Sequence, residues 1–193
     1  MKSNELKDKA WLTLASRYVL RDRWISVRAD TCRMPSGITL GPYYVMEYPD
    51  WVHVVALDRD NRLLVTRQYR HGLKRTILEL PCGAINAEEP PEAAARRELK
   101  EETGISISSV RPVGYFAANL ATHTNFVHVF LAHGESSQEN PNPDKTEDID
   151  HDFLPIAEVR AAIETGTFAQ GLVIASLYLA LSVAGKISLL VPV

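Results

Sequence analysis

Residues 83–105 read GAINAEEPPEAAARRELKEETGI, and the reading of this stretch governs the rest of the chain. Pro90 and Pro91 suit a helix start, because the N–H that proline lacks would have no intrahelical partner there. Glu92 in the first turn favours the positive end of the helix dipole. From there to Thr103 the composition is strongly helix-forming, and Gly104 is a natural C-cap. On such a helix Glu98, Glu101 and Glu102 stand at i, i+3 and i+4, so three carboxylates share one face. Like charges at that spacing repel by about 0.2–0.5 kcal/mol per pair. A divalent cation reverses the sign, and an oxygen-only donor set of this density suits Mg2+ or Mn2+. The triplet by itself also reads as a solvated acidic face, with Arg96, Arg97 and Lys100 as surface partners. Ala93, Ala94 and Leu99, on the opposite side, are available to pack onto a sheet.

Outward from this helix, the N-terminal side is rich in short apolar runs. WVHVVAL (51–57) and LLVTR (63–67) predict two strands, and residues 58–62 a hairpin loop between them. Residues 76–80 predict a third strand, stopped by Pro81, which cannot donate to a ladder. Further upstream, residues 24–28, 37–40 and 43–47 predict extended segments divided by turns at 35–37 and at Gly41-Pro42. Leu6, Ala10 and Leu14, with Trp11 and Leu12 beside them, predict a helix over residues 1–16. On the C-terminal side, residues 110–117 and 125–132 predict strands, and residues 133–152, carrying seven acidic residues, a long polar loop. Residues 155–165 and 172–184 predict two helices. The expected fold class is α+β with a mixed sheet in an αβα sandwich, plus N-terminal antiparallel strands.

Composition removes several function classes. With 193 residues, 46% hydrophobic and 23% charged, the chain is neither disordered nor fibrous. Twenty-one basic against 24 acidic residues argue against a nucleic-acid partner. The longest apolar run, residues 172–184, falls short of the roughly 20 residues a bilayer span needs. Two cysteines, Cys32 and Cys82, are too few for a disulfide framework, and the expected compartment is the reducing cytoplasm.

Gly83, Glu89, Arg97, Glu98, Leu99, Glu101, Glu102, Gly104 and Ile105 resemble the Nudix box, G-x5-E-x7-R-E-U-x-E-E-x-G-U with U aliphatic, at every fixed position. The resemblance implies an enzyme with a loop–helix–loop core that hydrolyses a nucleoside diphosphate linked to a further group, using Mg2+ or Mn2+. It implies that Glu98, Glu101 and Glu102 hold the metal, with the main-chain oxygen of Cys82 as a further ligand. Arg97 would pair with Glu89 and brace the loop, while Gly83 and Gly104 permit the turns at either end of the helix. As a thiol, Cys82 reads better as a small buried group than as a nucleophile.

Gln68-Tyr69-Arg70 and Glu79-Leu80-Pro81-Cys82-Gly83 are similar to stretches of ADP-ribose pyrophosphatases and related nucleotide-sugar hydrolases. This implies a substrate-binding set of Gln68, Arg70 and Glu79, with Arg70 suited to grip a phosphate by parallel N–H bonds. It also implies a dimer in which residues 1–48 are exchanged, next to a hydrolase domain over 49–193, and an aromatic residue stacked on the nucleobase. Trp24 is the first candidate for that stacking and Trp51 the second. A general base is expected from the acidic loop: Glu147 first, Asp148 second, with Asp150 nearby. One departure stands out: residues 116–125 hold none of the proline-containing turn usual after the box, so a substrate other than ADP-ribose, such as GDP-mannose, could use Asn119 or His123. His53 and His128, within strands, read as structural. A non-catalytic nucleotide sensor is the rival from outside the enzyme class.

Overall fold

The computed structural model describes residues 9–144 and 146–187, without the side chains at 135, 136 and 138. The chain divides into two units: residues 1–48 with 117–125, and residues 49–116 with 126–193.

In the smaller unit β1 (Leu12–Arg21), β2 (Ser26–Arg33) and β3 (Thr39–Glu47) form an antiparallel three-stranded sheet in the order β1-β2-β3. This corrects the helix expected over residues 1–16: the described part of it from Leu12 is strand, and residues 1–8 lie outside the described residues. Tyr18, Val19 and Leu20, β-favouring residues that complete the strand, outweigh the weak 3.6-residue spacing before them. Gly41-Pro42, expected to divide two segments, lies inside β3, where the pairing with β2 shifts register between Asp30 and Cys32. Buried Asp30 is the polar anchor of this sheet. Burial opposes its ionisation, but hydrogen bonds from Ser16 and Arg28 outweigh that and hold its pKa below the ordinary value.

The larger unit is a seven-stranded mixed sheet between helices. Its path is β10-β5-β4-β9-β8, made of β4 (Trp51–Leu57), β5 (Leu63–Arg70), β8 (Ile105–Ala117), β9 (Phe126–Gln138) and β10 (Ile149–Leu154). Two short strands flank the path: β6 (Arg75–Glu79) pairs with β5, and β7 (Cys82–Ala84) with β4. β4 and β9 run parallel in register from Trp51↔Val127 to Leu57↔His133. The loop expected over 133–152 is shorter than the polar composition suggests, because β9 continues to Gln138 and β10 begins at Ile149.

The period-2 alternation of β4 builds both cores. Val52, Val54 and Ala56 join Ala94, Ala95 and Leu99 of α1 (Pro91–Thr103) in one cluster. Val55 and Leu57 point the other way, into a cluster with Val159 of α2 (Ile156–Glu164) and Val173, Leu177, Ala180 and Leu181 of α3 (Gly171–Val183). The result is the αβα sandwich. Ala95, rather than Ala93, packs beneath α1 with Ala94 and Leu99, while Ala93 is exposed. Helix α1 ends at Gly104, left-handed with φ 70°, whose N–H returns to the Lys100 carbonyl.

Candidate active site in the cleft between β4 and β5

β4 and β5 pair only at Leu57↔Leu63. Beyond that point each takes a different neighbour: β7 pairs with β4 from Trp51↔Ala84 to His53↔Cys82, and β6 pairs with β5 from Thr66↔Glu79 to Arg70↔Arg75. The strands diverge, and a cavity of about 610 Å3 occupies the opening. Its walls are Trp51 and His53 from β4, Gln68 and Arg70 from β5, Glu79 from β6, and Cys82, Gly83 and Ala84 from β7. Leu73, Ile77 of β6, Glu102 of α1, Glu147 of the acidic loop and residues 169–171 at the start of α3 complete them.

Helix α1 brings its acidic face to this opening. Glu102 is only 4% exposed, and its Oε2 accepts the Cys82 N–H at 3.2 Å. Burial first, then the charge of Glu98, raises its pKa well above that of an ordinary carboxylate. Glu98 is raised to about 7, mainly by burial, against the opposing effect of Arg97. A Cβ at Gly83 would fall on the Glu98 carboxyl group, so a larger residue there would displace that side chain. Arg97 gathers the loop. Its Nε and Nη2 donate to Glu89 at 2.8 Å each, its Nη1 to Glu98 at 2.7 Å and to Glu101 at 2.9 Å, and Nη2 also to the Ala84 carbonyl at 3.0 Å. These bonds raise the Arg97 pKa, and Glu89 is held down at about 2, first by Arg97. Across the cleft Arg70 holds the buried carboxylate of Glu79 through Nε, at 3.0 Å to both oxygens, and Nη2 at 2.6 Å. The Cys82 thiol is pushed up by burial first and by Glu102 next, so it stays protonated and is not a nucleophile at neutral pH.

A helix bearing three glutamates, braced by an arginine against a glycine loop at the mouth of a split sheet, is matched by known proteins. The NUDIX domain family matches residues 47–176. The chain belongs to the Nudix family. Residues 11–46 match the nucleoside diphosphate sugar hydrolase N-terminal domain. This Nudix hydrolase is 30% identical over 159 residues to the ADP-ribose pyrophosphatase of Bacillus subtilis (strain 168), covering 82% of this chain and 80% of the relative. It is 31% identical over 169 residues to the ADP-ribose pyrophosphatase of Mycobacterium tuberculosis (strain ATCC 25618 / H37Rv), covering 84% and 79%. A crystal structure of an ADP compounds hydrolase shares the fold, with a TM-score of 0.81 at 22% identity over 92% of this chain and 97% of that one.

The donor chemistry of the Nudix helix fits a divalent cation. Glu98 and Glu102 are two desolvated carboxylates with pKa values raised by burial and by neighbouring carboxylates (Glu101 and Glu147 at Glu98, Glu98 and Glu147 at Glu102), and a hard cation relieves that repulsion. Among the described residues no three His, Cys, Asp or Glu side chains converge as a ready ligand cage. Arg97 occupies Glu98 and Glu101 instead, and Glu101 is turned half out to solvent.

Trp24 precedes β2, 67% exposed, with the Arg23 guanidinium 4.2 Å over its ring. Asp148 is exposed beside the cavity-lining Glu147, and Asp150 lies on β10. In the smaller unit, His123 packs against Tyr48 with 5.3 Å between ring centroids, and Asn119 accepts the Ala121 N–H. His128 bonds Asp50 at 2.9 Å and stacks on Tyr115.

His53, expected to be structural, lines the cavity. It is 2% exposed, and burial lowers its pKa to about 4, so the ring is neutral at physiological pH. The alternation that places Trp51 at the cavity places His53 there too, two residues on and facing the same way. Residues 169–171 carried no comparable signal: a short connector reaches a distant cleft only through tertiary folding.

Proposed function

We propose that this chain hydrolyses the pyrophosphate bond of a nucleoside diphosphate sugar, with ADP-ribose preferred, to a nucleoside monophosphate and a sugar phosphate. The observation that carries the reading is buried Glu102, with half-buried Glu98 one turn earlier on α1, lining with Arg70 a cavity of about 610 Å3, large enough for most of a nucleotide sugar. Both ADP-ribose pyrophosphatase relatives support the choice of substrate.

Glu98, Glu101 and Glu102, with the carbonyl oxygen of Cys82, would hold Mg2+ or Mn2+. When bound, the metal supplies Lewis-acid polarisation of the phosphate oxygens and a water of lowered pKa. Arg70, anchored by Glu79, presents its guanidinium to the phosphates and offsets the charge that develops there. Gln68 lies beside it on the same wall. Glu147 takes the proton of the attacking water, with Asp148 the alternate base one residue on. Arg97, fixed by Glu89, keeps the glutamates of α1 aimed at the cleft rather than contacting substrate. Trp24 stacks on the nucleobase in the second subunit of a homodimer. The exposed apolar side chains of β1 support that dimer. We place the protein in the cytoplasm, in keeping with the free thiols of Cys32 and Cys82. Among the described residues no helix is long and apolar enough to cross a membrane.

The test is a panel of ADP-ribose, GDP-mannose and other nucleotide sugars with Mg2+ or Mn2+, read as released phosphomonoesters. Highest kcat/KM on ADP-ribose supports the proposal. GDP-mannose ranked first would transfer the assignment to that substrate, and tight nucleotide binding without product would make the protein a sensor.

A further inference from the structure

His53 is a buried imidazole on the wall of the cleft that neither the metal site nor phosphate binding uses. Its hydrogen bonds determine its tautomer. The Ser176 Oγ lies 2.9 Å from His53 Nδ1 and 2.9 Å from the Leu172 carbonyl oxygen one turn earlier in α3. A carbonyl can only accept, and a hydroxyl has one proton, so that proton goes to Leu172. Ser176 Oγ must then accept from His53, which places the ring proton on Nδ1. Nε2 is left with its lone pair as the acceptor available on this cavity-lining ring.

An uncharged acceptor beside a pyrophosphate site is selective. It repels an anionic phosphate oxygen and accepts from an O–H or N–H group of the substrate. Its place in the sheet narrows the choice. His53 lines one cavity with Arg70 and Glu102, the groups that would take the pyrophosphate, and its ring stands on the α3 side of β4, away from the α1 carboxylates. In a nucleoside diphosphate sugar the groups bonded directly to the phosphates are sugars, and the base lies one ribose further out.

Building on the proposed hydrolysis of such substrates, we infer that His53 is a specificity residue: its Nε2 accepts a hydrogen bond from a sugar hydroxyl next to the scissile pyrophosphate and favours fully hydroxylated sugars over deoxy analogues.

The experiment compares the wild-type chain with His53→Asn and His53→Gln. Asparagine places its amide nitrogen where Nδ1 stands, keeping the Ser176 contact but not the reach of Nε2. Glutamine places its amide oxygen where Nε2 stands. Each protein is assayed with Mg2+ on ADP-ribose, on its analogues lacking a hydroxyl of the distal or of the adenosine ribose, and on the inosine counterpart, which lacks the base amine. Melting temperatures confirm that each variant is folded.

For the wild type the expected result is a preference of about tenfold in kcat/KM, the size of one hydrogen bond, for ADP-ribose over one of the two deoxy analogues. That preference should fall to about onefold in His53→Asn, mostly through KM, and return in His53→Gln. An equal preference in all three proteins overturns the inference, as does a loss in His53→Asn that is uniform across substrates. A preference lost only against the inosine compound assigns the donor to the base and overturns the sugar assignment. Wild-type protein inactive on every nucleoside diphosphate sugar would instead defeat the proposed hydrolysis, an outcome distinct from active wild-type protein whose deoxy penalty is independent of residue 53.

Discussion

The tightest constraints in this protein act on single side chains around Arg97. One guanidinium serves Glu89, Glu98, Glu101 and the Ala84 carbonyl, a set that a lysine, with one compact ammonium, could not reproduce. Glu89 is the partner whose titration can be read. Its pKa is lowered from 4.5 to about 2, so its stabilisation is complete above pH 4.5 and is lost as pH falls through about 2. The full shift corresponds to about 3 kcal/mol, which solvent around the pair reduces to about 1–2. Urea denaturation should therefore show Glu89→Gln less stable than wild type by about that amount near pH 6. The gap should narrow as the pH drops toward 2, and a constant gap would detach Glu89 from the acid response. Glu102 makes a different prediction, because its carboxylate is desolvated rather than paired. Glu102→Gln keeps its shape and an acceptor for the Cys82 N–H but removes a charge from the metal cluster. The expected loss in kcat is at least about a hundredfold, some 2.7 kcal/mol in the barrier, with a melting temperature within a few degrees of wild type. Near-normal turnover would remove Glu102 from the metal site.

At the scale of elements, helix α1 is held at both ends by geometry that few substitutions could satisfy. Its start is set by Pro90 and Pro91, its underside by Ala94, Ala95 and Leu99, and its end by Gly104 in the left-handed region. Gly104 also supports the acidic loop: its carbonyl accepts the Glu139 N–H at 2.9 Å, and a Cβ there would strike the Glu139 carbonyl. Gly104→Ala therefore meets both an unfavourable φ and a backbone clash. We expect a loss of at least about 2 kcal/mol in chemical denaturation, larger than the roughly 1 kcal/mol of a left-handed alanine alone. A smaller loss would mean that the segment after β9 moves aside at little strain. The residue lies outside the cleft, so at temperatures where the variant is folded kcat should change less than for Glu102→Gln.

For the whole molecule, the smaller unit has a strand in search of a cover. All ten residues of β1 are exposed, among them Leu12, Leu14, Tyr18, Val19 and Leu20, and β1 is an edge of its sheet. Such edges are templates for pairing unless covered. Under the proposed homodimer, Val19→Lys combined with Leu12→Lys should shift sedimentation from dimer to monomer at micromolar concentration. Activity on ADP-ribose should fall at the same time if Trp24 serves the partner's base. Unchanged sedimentation would remove β1 from the interface.

Local order along the chain already determined helix α1, its glycine stop, the three carboxylates on one face, and β4, whose ends match the expected bounds. Spacing and capping act over a few residues, so they are legible without the fold. The family resemblance in residues 83–105 was legible for the same reason. The strands over 63–67 and 76–80 and the helices over 155–165 and 172–184 were legible in the same way. Other features were decided by tertiary structure. β1 became strand because it pairs as a hairpin with β2, and that pairing, with the β-favouring Tyr18, Val19 and Leu20, overrides weak helical spacing. The cleft exists because β4 and β5 part company after one pair, a consequence of β6 and β7 inserting between them. Alternation along β4 turns His53 to the same face as Trp51, but its bond to Ser176, 123 residues away, is a relation between side chains that no spacing along the chain encodes.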